Sequence, residues 1–185
     1  KSKRNEEYLR FLVLYLSTLN FFNSNYIVVM FVQTQKTPNP NSIKFFPGKK
    51  VSLSGSYEII NKNESNNELV RNILSINGVT GIFLAEEFLS VNKKEGINWD
   101  DLKHIIISFI NEYYADGREY IVNNAQENNS ENDLKEIEKK IVKILETKVR
   151  PAVEKDGGDI KFKNYENGIV TVQLQGSCSG CPSSK

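Results

Sequence analysis

Ile169-Val170-Thr171-Val172-Gln173-Leu174-Gln175-Gly176-Ser177-Cys178-Ser179-Gly180-Cys181-Pro182 is the stretch that decides how the C-terminal part of this chain folds. Val170, Val172 and Leu174 alternate with Thr171, Gln173 and Gln175, the period of a strand with one buried and one wet face. The strand hands a Cys-x-x-Cys pair straight off its end. Cys178 and Cys181 are the only cysteines in the 185 residues. Two thiolates at this spacing can chelate a metal centre but cannot complete one, because a tetrahedral structural site takes about four protein ligands. The lone histidine, His104, is far away in sequence. Spacing alone leaves two readings open: a redox dithiol, or half of a site that a second molecule completes.

Working upstream, Asn167-Gly168 joins this strand to Ile160-Lys161-Phe162 as a hairpin. Asp156-Gly157-Gly158-Asp159 reads as a turn whose glycines allow positive φ. Before it, Leu134, Ile137, Ile141, Ile144, Leu145 and Val149 line one face of a helix, expected to pack on the hairpin. Asp133 with Glu136 opens that helix as a capping-box-like pair, and Pro151 kinks or ends it. Downstream, Pro182-Ser183-Ser184 reads as the first turn of another helix. The unit 133–185 is therefore expected to lack a final helix. Thiols between a strand end and a helix start gain free backbone N–H groups and a helix dipole, so lowered thiol pKa values are expected.

A second unit precedes it. Residues 31–35 and Ser42-Ile43-Lys44-Phe45-Phe46 read as strands around the turn Thr37-Pro38-Asn39-Pro40-Asn41. Residues 67–76 have helical spacing at Leu69, Ile73 and Leu74. Residues 79–84 and 87–92 pair around Ala85-Glu86. Asn98 caps a long helix with Asp100 and Asp101 in its first turn and the stripe Trp99, Leu102, Ile105, Ile106, Phe109, Ile110 and Tyr113. The order ββαββα over 30–122 makes a small α+β domain. Residues 123–132 have no apolar period and read as a linker. Residues 1–29 match no targeting signal well; they are taken as a leader or upstream segment, with the functional protein starting at Met30.

Composition excludes several classes. The net charge of +1 favours neither nucleic acid nor an anionic membrane. The apolar stretch 9–32 has a polar centre, unlike a spanning helix of roughly 20 apolar residues. Two adjacent cysteines point to a reducing compartment rather than a disulfide scaffold. His104 lies on the apolar helix and reads as a packed or half-exposed side chain, not a ligand. Asp156 and Asp159 read as solvated turn acids rather than an acid–base pair. The pairs Tyr113-Tyr114 and Phe45-Phe46 read as core or interface. Gly157-Gly158 lacks the spacing of a phosphate loop.

In order, Arg150-Pro151, Asp156-Gly157-Gly158-Asp159-Ile160, Gly168-Ile169-Val170-Thr171-Val172 and residues 176–184 resemble the NifU-like C-terminal domain of the Nfu family. Residues 30–35, Thr37-Pro38-Asn39-Pro40-Asn41-Ser42, Lys44-Phe45 and Pro47-Gly48 resemble the start of that family's N-terminal domain. The resemblance implies a non-enzymatic iron–sulfur scaffold or carrier. Cys178 and Cys181 would be the iron ligands, and one [4Fe–4S] cluster would be bridged between the Cys-x-x-Cys motifs of a homodimer. The implied partners are apo iron–sulfur client proteins and other cluster assembly proteins. The implied location is the bacterial cytoplasm, or the mitochondrial matrix if the source is eukaryotic. The rival is a thiol–disulfide redox protein using the same pair. A third possibility is a client-docking module in which the N-terminal unit does the binding.

Overall fold

The computed structural model describes residues 31–122 and 135–184. The readings of 1–29 as a leader, of 123–132 as a linker and of Asp133 as a cap fall outside those residues. The architecture is α+β. Strands β1 (Gln33–Lys36), β2 (Ser42–Phe46), β3 (Tyr57–Ile59), β4 (Val79–Leu84) and β5 (Leu89–Lys93) form an antiparallel sheet in the order β1-β2-β5-β4-β3. Helices α1 (Glu68–Leu74) and α2 (Trp99–Ala115) cover one face. Asn67 caps α1 by accepting from the Val70 N–H, and Asn98 caps α2 by accepting from the Asp100 N–H at 3.1 Å.

Alternation in the strands sends Ile43, Phe45, Ile82, Leu84, Leu89 and Val91 into one core with Leu69, Val70, Ile73, Leu102, Ile106, Ile110, Tyr113 and Tyr114. The tyrosine pair belongs to this core. Its rings meet edge-on at 5.3 Å, and the hydroxyls donate to the carbonyls of Tyr120 and Lys50. Strand β3 has no counterpart among the elements that the sequence implies. Tyr57–Ile59 is too short to show a period and stands beside the serine- and glycine-rich stretch 52–56.

The remaining elements are α3 (Glu136–Ile144), a π turn (Leu145–Val149), α4 (Arg150–Lys155) and the hairpin β6 (Gly158–Glu166) and β7 (Ile169–Gly176). The helical path runs on past Pro151. The π turn precedes it, so the residue without an N–H stands in the first turn of α4, where that donor is not needed. Asn167 (φ 51°) and Gly168 (φ 82°) make the hairpin turn with both central residues left-handed. Two expectations need correction. The α3 stripe is not buried on the hairpin, since Ile137 and Ile144 are exposed, and the apolar side of β7 is open at Val170 and Val172. The cause is size: two strands and two short helices enclose little volume, and Ile160 and Cys181 are the buried apolar side chains among the described residues of this unit.

This unit gains its burial elsewhere, against the sheet face that turns away from α1 and α2. Phe83, Ala85 and Phe88, with Phe46 beside them, form a second apolar cluster on that face. Lys44, also buried, stands over the Phe88 ring at 3.9 Å and donates to the carbonyls of Glu154 (3.1 Å) and Lys155 (3.3 Å). It thereby caps the C-terminus of α4 from across the interface. Burial pulls its ammonium below lysine's ordinary pKa, opposed by Asp156 and Glu154.

Candidate functional site

Strand β7 ends at Gly176, in the left-handed region at φ 64°, and the chain turns there into Ser177-Cys178. The Ser177 N–H donates to the Gly157 carbonyl at 3.0 Å, so the thiol loop is tied to the Gly157-Gly158 turn. Only Gly157 of that pair has positive φ (90°). Gly158 starts β6 opposite Gly176, and a Cβ there would land on the Gln175 carbonyl and 3.0 Å from the Cys178 sulfur. The sequence reading gave both glycines one role; the second is needed for close approach. Pro182–Ser184 forms a single 3-10 turn, and Ser184 Oγ donates to the Cys178 carbonyl at 3.0 Å.

Cys178 and Cys181 are both free thiols and both line one open cleft, together with Val153, Asp156 and Leu174 from their own unit and Pro38 and Asn39 from the N-terminal unit. Cys181 is 5% exposed and Cys178 partly so. Asn39 holds the loop. Its Oδ1 accepts from the Asn41 N–H at 2.9 Å, shaping the Thr37–Asn41 turn, while its Nδ2 donates to the Ser177 carbonyl at 2.9 Å. Ser177 Oγ donates to Thr37 Oγ1 at 2.7 Å. The role of Thr37 and Asn39 was not visible in sequence, where they read as turn residues alone.

Electrostatics correct another expectation. Burial pushes the Cys178 thiol up to about 11, with the charges of Asp156 and Cys181 adding to it. The short 3-10 turn after Cys181 supplies no helix dipole strong enough to oppose that. Since the thiolate is the nucleophile, alkylation of Cys178 should quicken by about tenfold per pH unit between about pH 7 and 10. Residue-resolved mass spectrometry would check this, and a plateau below about pH 9 would contradict it.

Asp159 is not a solvated turn acid: it is 3% exposed. Its carboxylate accepts from Arg150 Nε at 2.9 Å, from the Ile160 N–H at 2.7 Å and from Ser56 Oγ. It locks the helix α4 end, the hairpin and the N-terminal unit together. His104 is exposed on α2, with Nδ1 2.9 Å from the Asp100 carbonyl, and takes no part in the site. Among the described residues no group of three or more His, Cys, Asp and Glu side chains is placed to hold a metal ion. Cys178 and Cys181 are thus brought together in the cleft without two further His, Cys, Asp or Glu side chains grouped with them among the described residues. Among the described residues no helix is long and apolar enough to cross a membrane.

Residues 32–117 match the family model described as the scaffold protein Nfu/NifU N-terminal domain, and residues 141–185 match the NifU-like domain. NifU-like protein 4, mitochondrial, of Arabidopsis thaliana is 40% identical over 162 residues, which is 84% of this chain and 57% of that protein. The NFU1 iron-sulfur cluster scaffold homolog, mitochondrial, of Homo sapiens is 40% identical over 159 residues, 84% of this chain and 62% of that one. The chain thus spans less than two thirds of the length of these relatives. A solved NifU-like protein from Saccharomyces cerevisiae is 27% identical with a TM-score of 0.47, covering 54% of this chain and 87% of that one. The names carry a mitochondrial location for the relatives; the expectation of a bacterial cytoplasmic protein finds no support in them. With both of its domain models matched in their order along the sequence, the chain belongs to the Nfu/NifU scaffold-protein family.

Proposed function

We propose that this protein is an iron–sulfur cluster scaffold or carrier without enzymatic activity, in which Cys178 and Cys181 ligate iron and the same pair from a second copy completes the set. The observation that carries this reading is the thiol pair itself. The two sulfurs share one open cleft, and among the described residues no group of three or more His, Cys, Asp and Glu side chains is placed to hold a metal ion. A cubane cluster held by about four thiolates is then the cargo of a symmetric pair. Gly180 has open space around it, so the loop carries no side chain there that would block a partner. A cluster held at a subunit boundary is passed on by ligand exchange: an acceptor's thiolates displace those of Cys178 and Cys181 one by one, and no redox step is required. The recipients are apo iron–sulfur proteins, and the names of the relatives support a mitochondrial location.

The redox reading is the weaker one. A thiol held near 11 at Cys178 is protonated at neutral pH and is a poor attacking group. Anaerobic reconstitution with iron and sulfide separates the two. A brown species with cluster absorbance, lost in Cys178→Ala, is the expected result. A protein that binds no cluster yet reduces a disulfide substrate catalytically would overturn the proposal.

A further inference from the structure

The outer face of the N-terminal sheet is polar where sheets that end in solvent are polar, at Lys44, Ser90 and Asn92, yet Lys44 and Ser90 are buried and Asn92 partly so. What covers them is the main chain of the thiol-bearing unit. Asn92 Nδ2 donates to the Gly176 carbonyl at 3.0 Å, and Ser90 Oγ donates to the Gly157 carbonyl at 2.7 Å. Glu58 Oε1 accepts from the Gly176 N–H at 2.8 Å. With Asn39 on Ser177, the sheet reads the peptide groups on either side of the cysteines. Shape is read as well. A Cβ on Gly157 would meet Ser90 Oγ at 2.9 Å, and one on Gly176 would meet Phe83 Cγ at 2.7 Å. Only a loop bare at both positions fits. The joint is nonetheless imperfect. Asn92 Oδ1 and Gln175 Oε1 are buried without a hydrogen-bond partner.

We propose that this sheet face is an intramolecular receptor for the chain's own thiol loop, and that the docked form withholds Cys178 and Cys181 from a second copy until the two units part. The inference rests on the reading of the cysteines as shared cluster ligands. A shared cluster needs both sulfurs to face another chain, whereas here Cys181 is buried and the loop's flank is covered by Pro38 and Asn39. Opening the joint uncovers the pair without unfolding either unit's strands. The N-terminal unit then acts as a gate on loading and release.

The test uses the metal-free full chain with Asn39 and Asn92 both changed to Asp. Each change is isosteric, and Asp at 39 keeps the oxygen that accepts from the Asn41 N–H. Each removes a donor and sets a carboxylate against a loop carbonyl. Loss of two such bonds should speed labelling of Cys181 by a neutral maleimide by at least about tenfold, with faster amide exchange over residues 157–181. Ser90→Leu, which blocks the Gly157 contact from a position outside the helix-covered core, should act in the same direction and serves if the double variant folds poorly. Unchanged labelling and exchange in a folded variant would overturn the gate. So would a metal-free dimer that the variants split, since the loop would then be docked on a second copy. Cluster loading is scored separately. Faster labelling without any loading in variant or parent contradicts the ligand reading and leaves the gate standing.

Discussion

Arg150→Met is expected to destabilise the protein by about 2–4 kcal/mol, read as a lowered urea midpoint with little change in slope. Arg150 is the cation that meets the buried Asp159 carboxylate, Nε to Oδ1 at 2.9 Å. Removing it leaves a charge that the Ile160 N–H and Ser56 Oγ stabilise only in part. Asp159 is enclosed but Arg150 is a third exposed, which places the effect toward the lower end of the range for a broken buried pair. The sharper reading is the double variant Arg150→Met with Asp159→Asn. Removing the stranded charge should recover part of the loss, because the penalty comes from an unpaired ion rather than from a missing attraction. Arg150→Lys should recover less than expected for a conserved charge, since the guanidinium also serves Glu146 and the Ile160 carbonyl in a fixed fork. A loss below about 0.5 kcal/mol would mean that Asp159 is solvated, as the sequence had implied.

Gly158→Ala is expected to cost about 1–3 kcal/mol and to displace the Cys178 sulfur, although its φ is ordinary. The added methyl would fall on the Gln175 carbonyl, which is backbone and cannot swing aside, and would press on Cys178 Cβ at 3.1 Å. The useful comparison is Gly168→Ala. That glycine is left-handed at φ 82° with open space around it, so its cost is conformational strain alone, roughly 1 kcal/mol. Gly158→Ala should therefore alter the labelling rate of Cys178 and Gly168→Ala should not. Equal behaviour of the two would show that the close strand crossing beneath the thiol loop is not needed.

Most elements of the fold were legible where a single period dominates. Ser42–Phe46 and Val79–Leu84 are the strands their residues imply, and Asn98 caps the helix that follows it. Two things were not legible, for one physical reason. Lys44 in β2, and Ser90 and Asn92 in β5, alternate with apolar residues as a solvent-facing row would, and nothing local distinguishes a row that hydrogen-bonds a distant main chain from one that bonds water. Docking of the thiol loop on that row is a tertiary fact. The one trace it left in sequence is the glycine at 157, 158 and 176, read as turn freedom at two of those places and needed for close approach at all three. The open apolar side of β7 is the opposite case: alternation implied a buried face, and the short hairpin has too little around it to provide one.

We propose that the Cys178–Cys181 pair is half of a site made whole by a second copy. Native mass spectrometry of the anaerobically reconstituted full chain tests it most directly, because mass reports chain count and cluster content together. The expected species has two chains carrying four irons and four sulfides and is absent from Cys181→Ala. A single chain carrying its own cluster, or a pair of chains that holds none, would contradict it.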